Sequence, residues 1–231
     1  MEGKRAILVG GGPVHGGLLR TVLATGYDLL LAVDGGGKPL FELGYQPQLL
    51  MGDFDSLDLR YKQSLAAGGA EVKSFQPEKD WTDLELALNY LVTQEYREAL
   101  VFGALGGRLD HTIANLGLLY QVKQQGIEAV FIGDEQAVAL LTAQKRIGIY
   151  PFPRGHFSLL PYPSVARGVT IRGAKYPLNQ ATLELGSTRG VHNEFLTVLA
   201  EVSLDSGSAL VVVEGIRHWQ GENNIFQILP S

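Results

Sequence analysis

The spacing of apolar and polar residues changes near residue 142. Before it, short apolar runs alternate with longer segments of helical period, which is typical of a parallel sheet with crossover helices. The apolar runs predict strands at residues 6–9, 29–33, 49–51, 71–75, 100–102 and 129–132. The segments between them predict helices at residues 17–24, 57–67, 82–95 and 109–125. The last helix has the clearest period, which is carried by Leu109, Ile113, Leu116, Leu119 and Tyr120.

After residue 144 the chain consists of short β-prone runs broken by proline and glycine, without a convincing helical period. These runs predict strands at residues 147–150, 156–160, 169–172, 181–185, 194–198 and 209–213. Such a pattern is typical of an antiparallel sandwich or jelly roll. We therefore predict an α/β fold class. A mostly parallel, Rossmann-like sheet with flanking helices at residues 1–143 precedes an antiparallel β-sandwich or jelly-roll domain at residues 144–231.

Composition narrows the classes of function. The chain has 231 residues, of which 45% are hydrophobic and 19% charged, so it is expected to be globular. A formal net charge of -5 and the absence of a Lys/Arg run disfavour a nucleic-acid partner. Without cysteine, disulfides, thiolate catalysis and zinc-thiolate sites are excluded. No apolar run of membrane-spanning length and no signal-peptide core are present, so we expect no membrane association and a cytoplasmic location.

Two carboxylates follow the apolar run that ends at Met51. Asp53 and Asp55 are two residues apart and would point to the same side of an extended chain, while Gly52 allows close backbone approach. Because adjacent carboxylates repel unless a cation lies between them, this pattern favours a hard divalent ion such as Mg²⁺. The alternative is an Asx-rich turn in which Asp55 or Ser56 caps the next helix.

Glycine-rich turns follow the first two predicted strands. Residues 9–13, Val-Gly-Gly-Gly-Pro, suit either a phosphate contact or a tight turn, and they match neither a dinucleotide-binding nor a P-loop motif. Residues 34–38, Asp-Gly-Gly-Gly-Lys, repeat the pattern with a carboxylate at its head. Three consecutive glycines allow close backbone approach, and Asp34 can orient a ribose or a metal. A simple turn is the alternative here too.

Residues 78–85 place acids at the start of the helix predicted from residue 82. Asp80 or Thr82 would cap that helix, and acids in its first turn complement the helix dipole. Capping explains some of these acids. It does not explain why Lys79, Asp80 and Asp83 all lie at the edge where Asp53 is expected, so a shared metal site is the competing interpretation.

The segment at residues 102–111 leads from a strand into the last predicted helix. Its glycines would expose backbone N–H groups at a helix N-terminus, which favours an anion, and Arg108 adds a permanent positive charge. Asp110 adds a carboxylate at the same edge. His111 can shuttle protons, although a histidine at a helix start is more often a simple polar contact.

Taken in order, these motifs resemble those of the thiamine pyrophosphokinase family. The resemblance rests on Gly-Asp-Phe-Asp-Ser at 52–56, Lys-Asp-Trp-Thr-Asp at 79–83 and the segment from Gly103 to Asn115. It continues at 173–178, Gly-Ala-Lys-Tyr-Pro-Leu, and at 190–194, Gly-Val-His-Asn-Glu, and so spans nearly the full chain. Each motif is modestly specific, whereas the ordered set is strongly specific.

The resemblance implies a Mg²⁺-dependent transfer of pyrophosphate from ATP to the hydroxyl of thiamine, with release of AMP. Residues 1–143 would form the ATP-binding catalytic domain. Residues 144–231 would bind thiamine and form a homodimer with an active site shared between the subunits. In the family pattern a serine often stands where this chain has His192, and a tryptophan often stands where it has Tyr176. Both departures concern the thiamine side.

The same resemblance implies roles for individual residues. The implied metal ligands are Asp53, Asp55 and Asp83. The implied catalytic residues are these three with Asp80, Arg108 and Asp110. The implied ATP and phosphate contacts are Gly11, Asp34, Gly35, Lys79, Thr82, Gly106 and His111. The implied thiamine contacts are Tyr176, His192 and Asn193.

Three questions stay open at the level of sequence. The general base is Asp80, Asp110 or His111, and nothing in the sequence chooses among them. An enzyme with the same chemistry and another acceptor, such as a hydroxymethyl-pterin diphosphokinase, is one rival. A sensor of nucleotide or thiamine diphosphate without turnover is another, although sensing alone does not require several metal-binding carboxylates.

Overall fold

The structure is a computed structural model that describes residues 3–76, 78, 80–143, 145–219 and 225–229. The chain is mixed α/β and divides into two compact units, Met1–Asp134 and Glu135–Ser231. The division falls nine residues before the predicted one between residues 143 and 144, because strand β7, Gln136–Thr142, belongs to unit 2.

Unit 1 is built on parallel strands whose order is β6-β5-β1-β2-β3-β4. Their bounds are β1 Arg5–Val9, β2 Leu29–Val33, β3 Leu49–Gly52, β4 Glu71–Ser74, β5 Glu98–Phe102 and β6 Glu128–Ile132. The central strands are the most apolar, and every residue of β2 and β3 is buried. A strand buried on both faces needs such a continuous apolar run, so the predicted mostly parallel sheet is confirmed.

The helices of unit 1 are α1 Gly16–Leu23, α2 Gly37–Glu42, α3 Leu59–Ala67, α4 Asp83–Thr93 and α5 Leu109–Gln124. The short helix α2 was not predicted, because its glycine and proline argue against helix. The buried face predicted for α5 is wrong in its first turns. Leu109 and Ile113 are 72% and 58% exposed, and the buried residues are Leu118, Leu119 and Val122.

Unit 2 consists of antiparallel strands in two sets, as predicted for this part of the chain. One set has the order β12-β9-β14-β7 and the other β11-β10-β13-β8-β15. The strands after β7 are β8 Arg146–Ile149, β9 His156–Pro161, β10 Ala166–Arg172, β11 Leu178–Leu183, β12 Asn193–Glu194, β13 Ala200–Ser203, β14 Ser208–Glu214 and β15 Phe226–Leu229. The predicted strand at 194–198 overlaps only at Glu194 with a strand of the structure, the two-residue β12.

Among the described residues, the helices are too short or too polar to cross a bilayer.

Candidate active site

The pairing of β2 with β3 brings two aspartates to one edge of the sheet. The strands are parallel with Val33 opposite Met51, so the residues that follow each strand emerge side by side. Asp34 begins a 3-10 turn, Asp34–Gly36, directly after β2. Asp53 directly follows the last residue of β3. This is the carboxyl edge of the strands, where sheets of this kind bind their ligands.

Helix α4 supplies a third carboxylate. It begins at Asp83, and the hydroxyl of Thr82 caps it by accepting a hydrogen bond from the Glu85 N–H at 3.2 Å. Thr82 is therefore the cap that the sequence predicted as one of two candidates. Asp34, Asp53 and Asp83 are partly buried, and each offers a carboxylate oxygen within 4.8 Å of those of the other two. Three oxygen donors at this separation fit a hard divalent cation.

The electrostatics of Asp34 fit the same interpretation. Burial raises the pKa of Asp34 to about 7, and the negative charges of Asp83 and Asp53 contribute to the rise. The Phe54 N–H, which donates to the Asp34 carboxylate at 3.0 Å, acts in the opposite direction. Carboxylates gathered with this mutual repulsion are stabilised when a cation is held among them. The donor set therefore fits Mg²⁺.

Asp55 stands outside this cluster, although it was predicted as a metal ligand together with Asp53 and Asp83. Among the described residues, the cluster contains Asp34 in its place. The prediction assumed an extended chain, but Phe54 adopts a left-handed backbone with φ of 63°. The extended geometry on which the i and i+2 argument depended is therefore absent. Asp55 is exposed, and its N–H donates to the Asp53 carboxylate at 3.1 Å.

Glycines form a backbone surface beside the cluster. A Cβ at Gly12 would lie 2.4 Å from the carbonyl oxygen of Gly103, and one at Gly11 would lie 3.5 Å from the Cα of Gly35. The Gly10 N–H donates to the Phe102 carbonyl at 2.8 Å. The turns after β1, β2 and β5 thus meet backbone to backbone. Main-chain N–H groups at such turns suit phosphate oxygens, which is the kind of contact predicted for Gly11 and Gly35. The Gly35 N–H already donates to the Ser56 hydroxyl, so Gly35 offers close backbone approach and no free donor.

An ion pair lies at the start of α5. The Arg108 guanidinium donates to both carboxylate oxygens of Asp110, with Nη2 to Oδ2 at 2.5 Å and Nε to Oδ1 at 3.1 Å. This hydrogen bonding holds the pKa of Asp110 at about 2. Gly106 precedes the pair and has φ of 84°. His111 follows the pair and is exposed, and its backbone N–H donates to the Asp110 carboxylate. Asp80 is exposed, and Lys79 lies outside the described residues.

The residues predicted for thiamine binding lie in unit 2. Asn193 is only 3% exposed, and its side chain fixes the backbone of Tyr176. The Asn193 oxygen accepts from the N–H groups of Tyr176 and Glu194 at 2.9 and 3.1 Å, and its Nδ2 donates to the Tyr176 carbonyl at 2.8 Å. The Tyr176 side chain is 54% exposed. Lys175 pairs with Glu194 at 2.7 Å beside it.

His192 lies in a turn, and its ring contacts the ring of His156. Its φ is 57°, and its N–H donates to the Ser158 hydroxyl at 3.0 Å. Its ring centroid lies 4.3 Å from that of His156, whose Nε2 is 3.0 Å from a carboxylate oxygen of Glu214. These contacts fix the orientation of an exposed imidazole. This arrangement could not be predicted from the sequence, because His156 and Glu214 belong to strands far apart in the chain.

Replacement of Asn193 tests its structural role. Asn193→Ala is expected to lower the free energy of unfolding by about 2 kcal/mol, since it leaves the N–H and the carbonyl of Tyr176 without their partner. Urea unfolding followed by circular dichroism measures the change. Asn179→Ala is the matched control, because Asn179 is exposed. Equal stability of the two variants would contradict this role.

Two residues beside the cluster, Phe54 and Ser56, were not predicted to belong to the site. Phe54 bonds to Asp34 through its backbone N–H, and Ser56 accepts a hydrogen bond from the Gly35 N–H at 3.2 Å. Ser56 was considered only as a helix cap. The cap of α3 is Asp58, whose side chain accepts from the Arg60 N–H. Their positions in the sequence could have indicated a role at the site, because Phe54 lies between Asp53 and Asp55 and Ser56 directly follows Asp55.

The fold and the site define an α/β protein with a carboxylate cation site beside glycine-rich strand ends, an arrangement typical of nucleotide-binding enzymes. Family models agree with this class. The catalytic domain of thiamin pyrophosphokinase matches residues 21–131, and its vitamin B1 binding domain matches residues 145–209. The chain belongs to the thiamine pyrophosphokinase family.

Individual relatives extend the match to most of the chain. Thiamine pyrophosphokinase of Bacillus subtilis is 29% identical over 217 residues, covering 90% of this chain and 98% of the relative. Its crystal structure superposes with a TM-score of 0.80, covering 92% of this chain and 99% of that one. The Geobacillus thermodenitrificans enzyme gives a TM-score of 0.78 at 29% identity, covering 91% and 97%.

Proposed function

We propose that this protein is a thiamine diphosphokinase, which transfers the pyrophosphoryl group of ATP to the hydroxyl of thiamine and releases AMP. The observation that carries the proposal is the cluster of Asp34, Asp53 and Asp83 at the carboxyl edge of the sheet, in a chain of this family. A cluster of this kind suits phosphate chemistry, because Mg²⁺ bound by a few carboxylates also binds substrate phosphates.

Asp34, Asp53 and Asp83 would hold the cation. When bound, Mg²⁺ neutralises charge on the phosphate oxygens and orients them for in-line displacement. In this proposal Asp34 takes the place of Asp55 as a ligand of the cation. Asp55 is exposed and remains able to bind the substrate complex at the rim of the site. The backbone N–H of Gly11 would bind a phosphate oxygen, Gly35 would allow the nucleotide to approach the backbone closely, and the Arg108 guanidinium would bind the departing phosphate.

In the proposed reaction the hydroxyl oxygen of thiamine attacks the β-phosphorus of ATP. The bond from that phosphorus to the bridging oxygen breaks, AMP leaves with the bridging oxygen, and the hydroxyl proton passes to a base. A carboxylate with a pKa of about 2 is a weak base, so the hydrogen bonding from Arg108 makes Asp110 a poor candidate. Asp80 and His111 remain. The role of Asp110 is then to hold Arg108.

The acceptor side and the assembly complete the proposal. Tyr176 and His192 present rings that suit the flat, cationic thiazolium of thiamine, with Asn193 holding Tyr176 in place.

We further propose a homodimer with an active site shared between subunits, a Rossmann-like arrangement of unit 1, a jelly-roll or sandwich arrangement of unit 2, and a cytoplasmic location.

Incubation with ATP, Mg²⁺ and thiamine, followed by mass spectrometry, tests the proposed function. Equal amounts of AMP and thiamine diphosphate are expected, and EDTA should abolish both. A hydroxymethyl-pterin replaces thiamine in a parallel reaction. AMP formation with the pterin alone would establish the rival acceptor. Binding of ATP by calorimetry without AMP from either alcohol would instead establish a sensor.

A further inference from the structure

Two hydrogen bonds join the turn Asp34–Gly36 to the loop that follows β3. The Phe54 N–H donates to Oδ1 of Asp34 at 3.0 Å, and the Gly35 N–H donates to the Ser56 hydroxyl at 3.2 Å. The first bond holds the carboxylate of Asp34, and the second holds the backbone of the next residue. The position of this carboxylate therefore depends on both.

The backbone on each side of this connection is strained. Asp34 has φ of 47° and Phe54 has φ of 63°, both in the left-handed region that side chains other than glycine rarely adopt. Such conformations persist only where the surrounding contacts hold them. The two hydrogen bonds are contacts of this kind, since each joins one strained turn to the other.

The space around Asp34 is equally restricted. A Cβ at Gly52 would lie 1.8 Å from Oδ1 of Asp34, so the carboxylate rests directly against the end of β3. A Cβ at Gly35 would lie 3.3 Å from the Ser56 hydroxyl oxygen, so this hydroxyl lies close against the turn although Ser56 as a whole is exposed. A small shift of the turn would therefore move the carboxylate away from Asp53 and Asp83.

The chemistry of serine suits this place. Lysine and arginine have no acceptor for the Gly35 N–H, and an acid that accepted it would increase the repulsion among the neighbouring carboxylates. The hydroxyl of Ser56 accepts the Gly35 N–H without changing the charge of the site.

We propose that Ser56 is a positioning residue for the cation site, acting through Gly35 to hold Asp34 within reach of Asp53 and Asp83. The inference rests on the proposed function in its use of the site, since a cation is what the three carboxylates would hold. Ser56 itself contacts neither the cation nor the nucleotide in this proposal.

Binding of Mn²⁺ to the free protein, followed by electron paramagnetic resonance, tests the inference without turnover. Ser56→Ala is expected to raise the Mn²⁺ dissociation constant by about fivefold, the size expected for loss of one neutral hydrogen bond. Ser56→Thr retains the hydroxyl and should restore most of the affinity. Ser64→Ala is the matched control, because Ser64 is exposed in α3, away from the cluster, and should bind Mn²⁺ as the wild-type protein does.

Kinetics separate positioning from direct contact. In Ser56→Ala the Mg²⁺ concentration for half-maximal AMP formation should rise by the same factor, while kcat and the KM for ATP at saturating Mg²⁺ stay within about twofold of wild type. An unchanged Mn²⁺ affinity would overturn the inference, as would absence of Mn²⁺ binding by the wild-type protein. A raised KM for ATP at saturating Mg²⁺ would also overturn it. If Ser56→Ala weakens Mn²⁺ binding while wild type forms no AMP with thiamine, the proposed function fails and the positioning role stands.

Discussion

Asp53→Asn is expected to lower the rate of AMP formation by about a hundredfold or more, with the thermal unfolding midpoint close to that of wild type. The amide has nearly the shape of the carboxylate but no charge, so the variant loses a cation ligand while the fold loses little. An effect of this size is typical when a group that stabilises charge in the transition state is removed. Initial rates of AMP release at saturating ATP, thiamine and Mg²⁺ measure it.

Two neighbouring substitutions sharpen the result. Asp55→Asn should have a smaller effect than Asp53→Asn, because Asp55 lies outside the carboxylate cluster of the described residues. Asp58→Asn is the control for loss of a nearby negative charge. Asp58 caps α3, and asparagine caps a helix about as well as aspartate. Equal losses for Asp53→Asn and Asp58→Asn would mean that general charge, and not a defined ligand, governs the rate.

Gly36→Ala is expected to lower the free energy of unfolding by about 3 kcal/mol, the upper part of the range for overpacked interiors. A Cβ at this position would lie 1.7 Å from the carbonyl oxygen of Val9 in β1, and a backbone atom of a central strand cannot move aside. The φ of Gly36 is -64°, so the loss would come from steric overlap and not from backbone strain. Urea unfolding followed by circular dichroism gives the value.

Gly16→Ala is the matched control for this substitution. Its Cβ would meet only the Leu43 side chain, at 3.4 Å, and alanine favours the helix that Gly16 begins. Its stability should equal or slightly exceed that of wild type. A destabilisation comparable to that of Gly36→Ala would show that the overlap with Val9 is not the cause.

The central strands β2 and β3 of the parallel sheet were predictable because they are buried along their whole length and therefore form apolar runs. No strand was predicted for β7, Gln136–Thr142, whose apolar run lay beside the expected boundary and was counted with residues 1–143, whereas the structure has it in the second unit. The helix α5 was predicted from an apolar period that includes Leu109 and Ile113. Both are largely exposed, so the period located the helix but misplaced the buried face of its first turns, whereas Leu119 is buried as expected.

The carboxylate cluster was predictable in part. Asp53 and Asp83 were expected in it, because acids that follow apolar strands or begin helices of such a sheet gather at one edge. For Asp34 the sequence left a ribose or a metal open, and the family resemblance placed it among the ATP contacts, since its nearness to Asp53 depends on the register of β2 with β3. The exchange of Asp55 for Asp34 depends on the left-handed Phe54, and phenylalanine gives no sequence signal for that conformation.

The amide of Asn193 has a consequence for the design of inhibitors. Its oxygen already accepts two backbone N–H groups, so a donor on a ligand would have to displace one of them and would gain little by doing so. Compounds directed at this surface should instead stack on the exposed ring of Tyr176 or exploit the neighbouring charges of Lys175 and Glu194. The polar groups of such compounds should therefore be directed at residues other than Asn193.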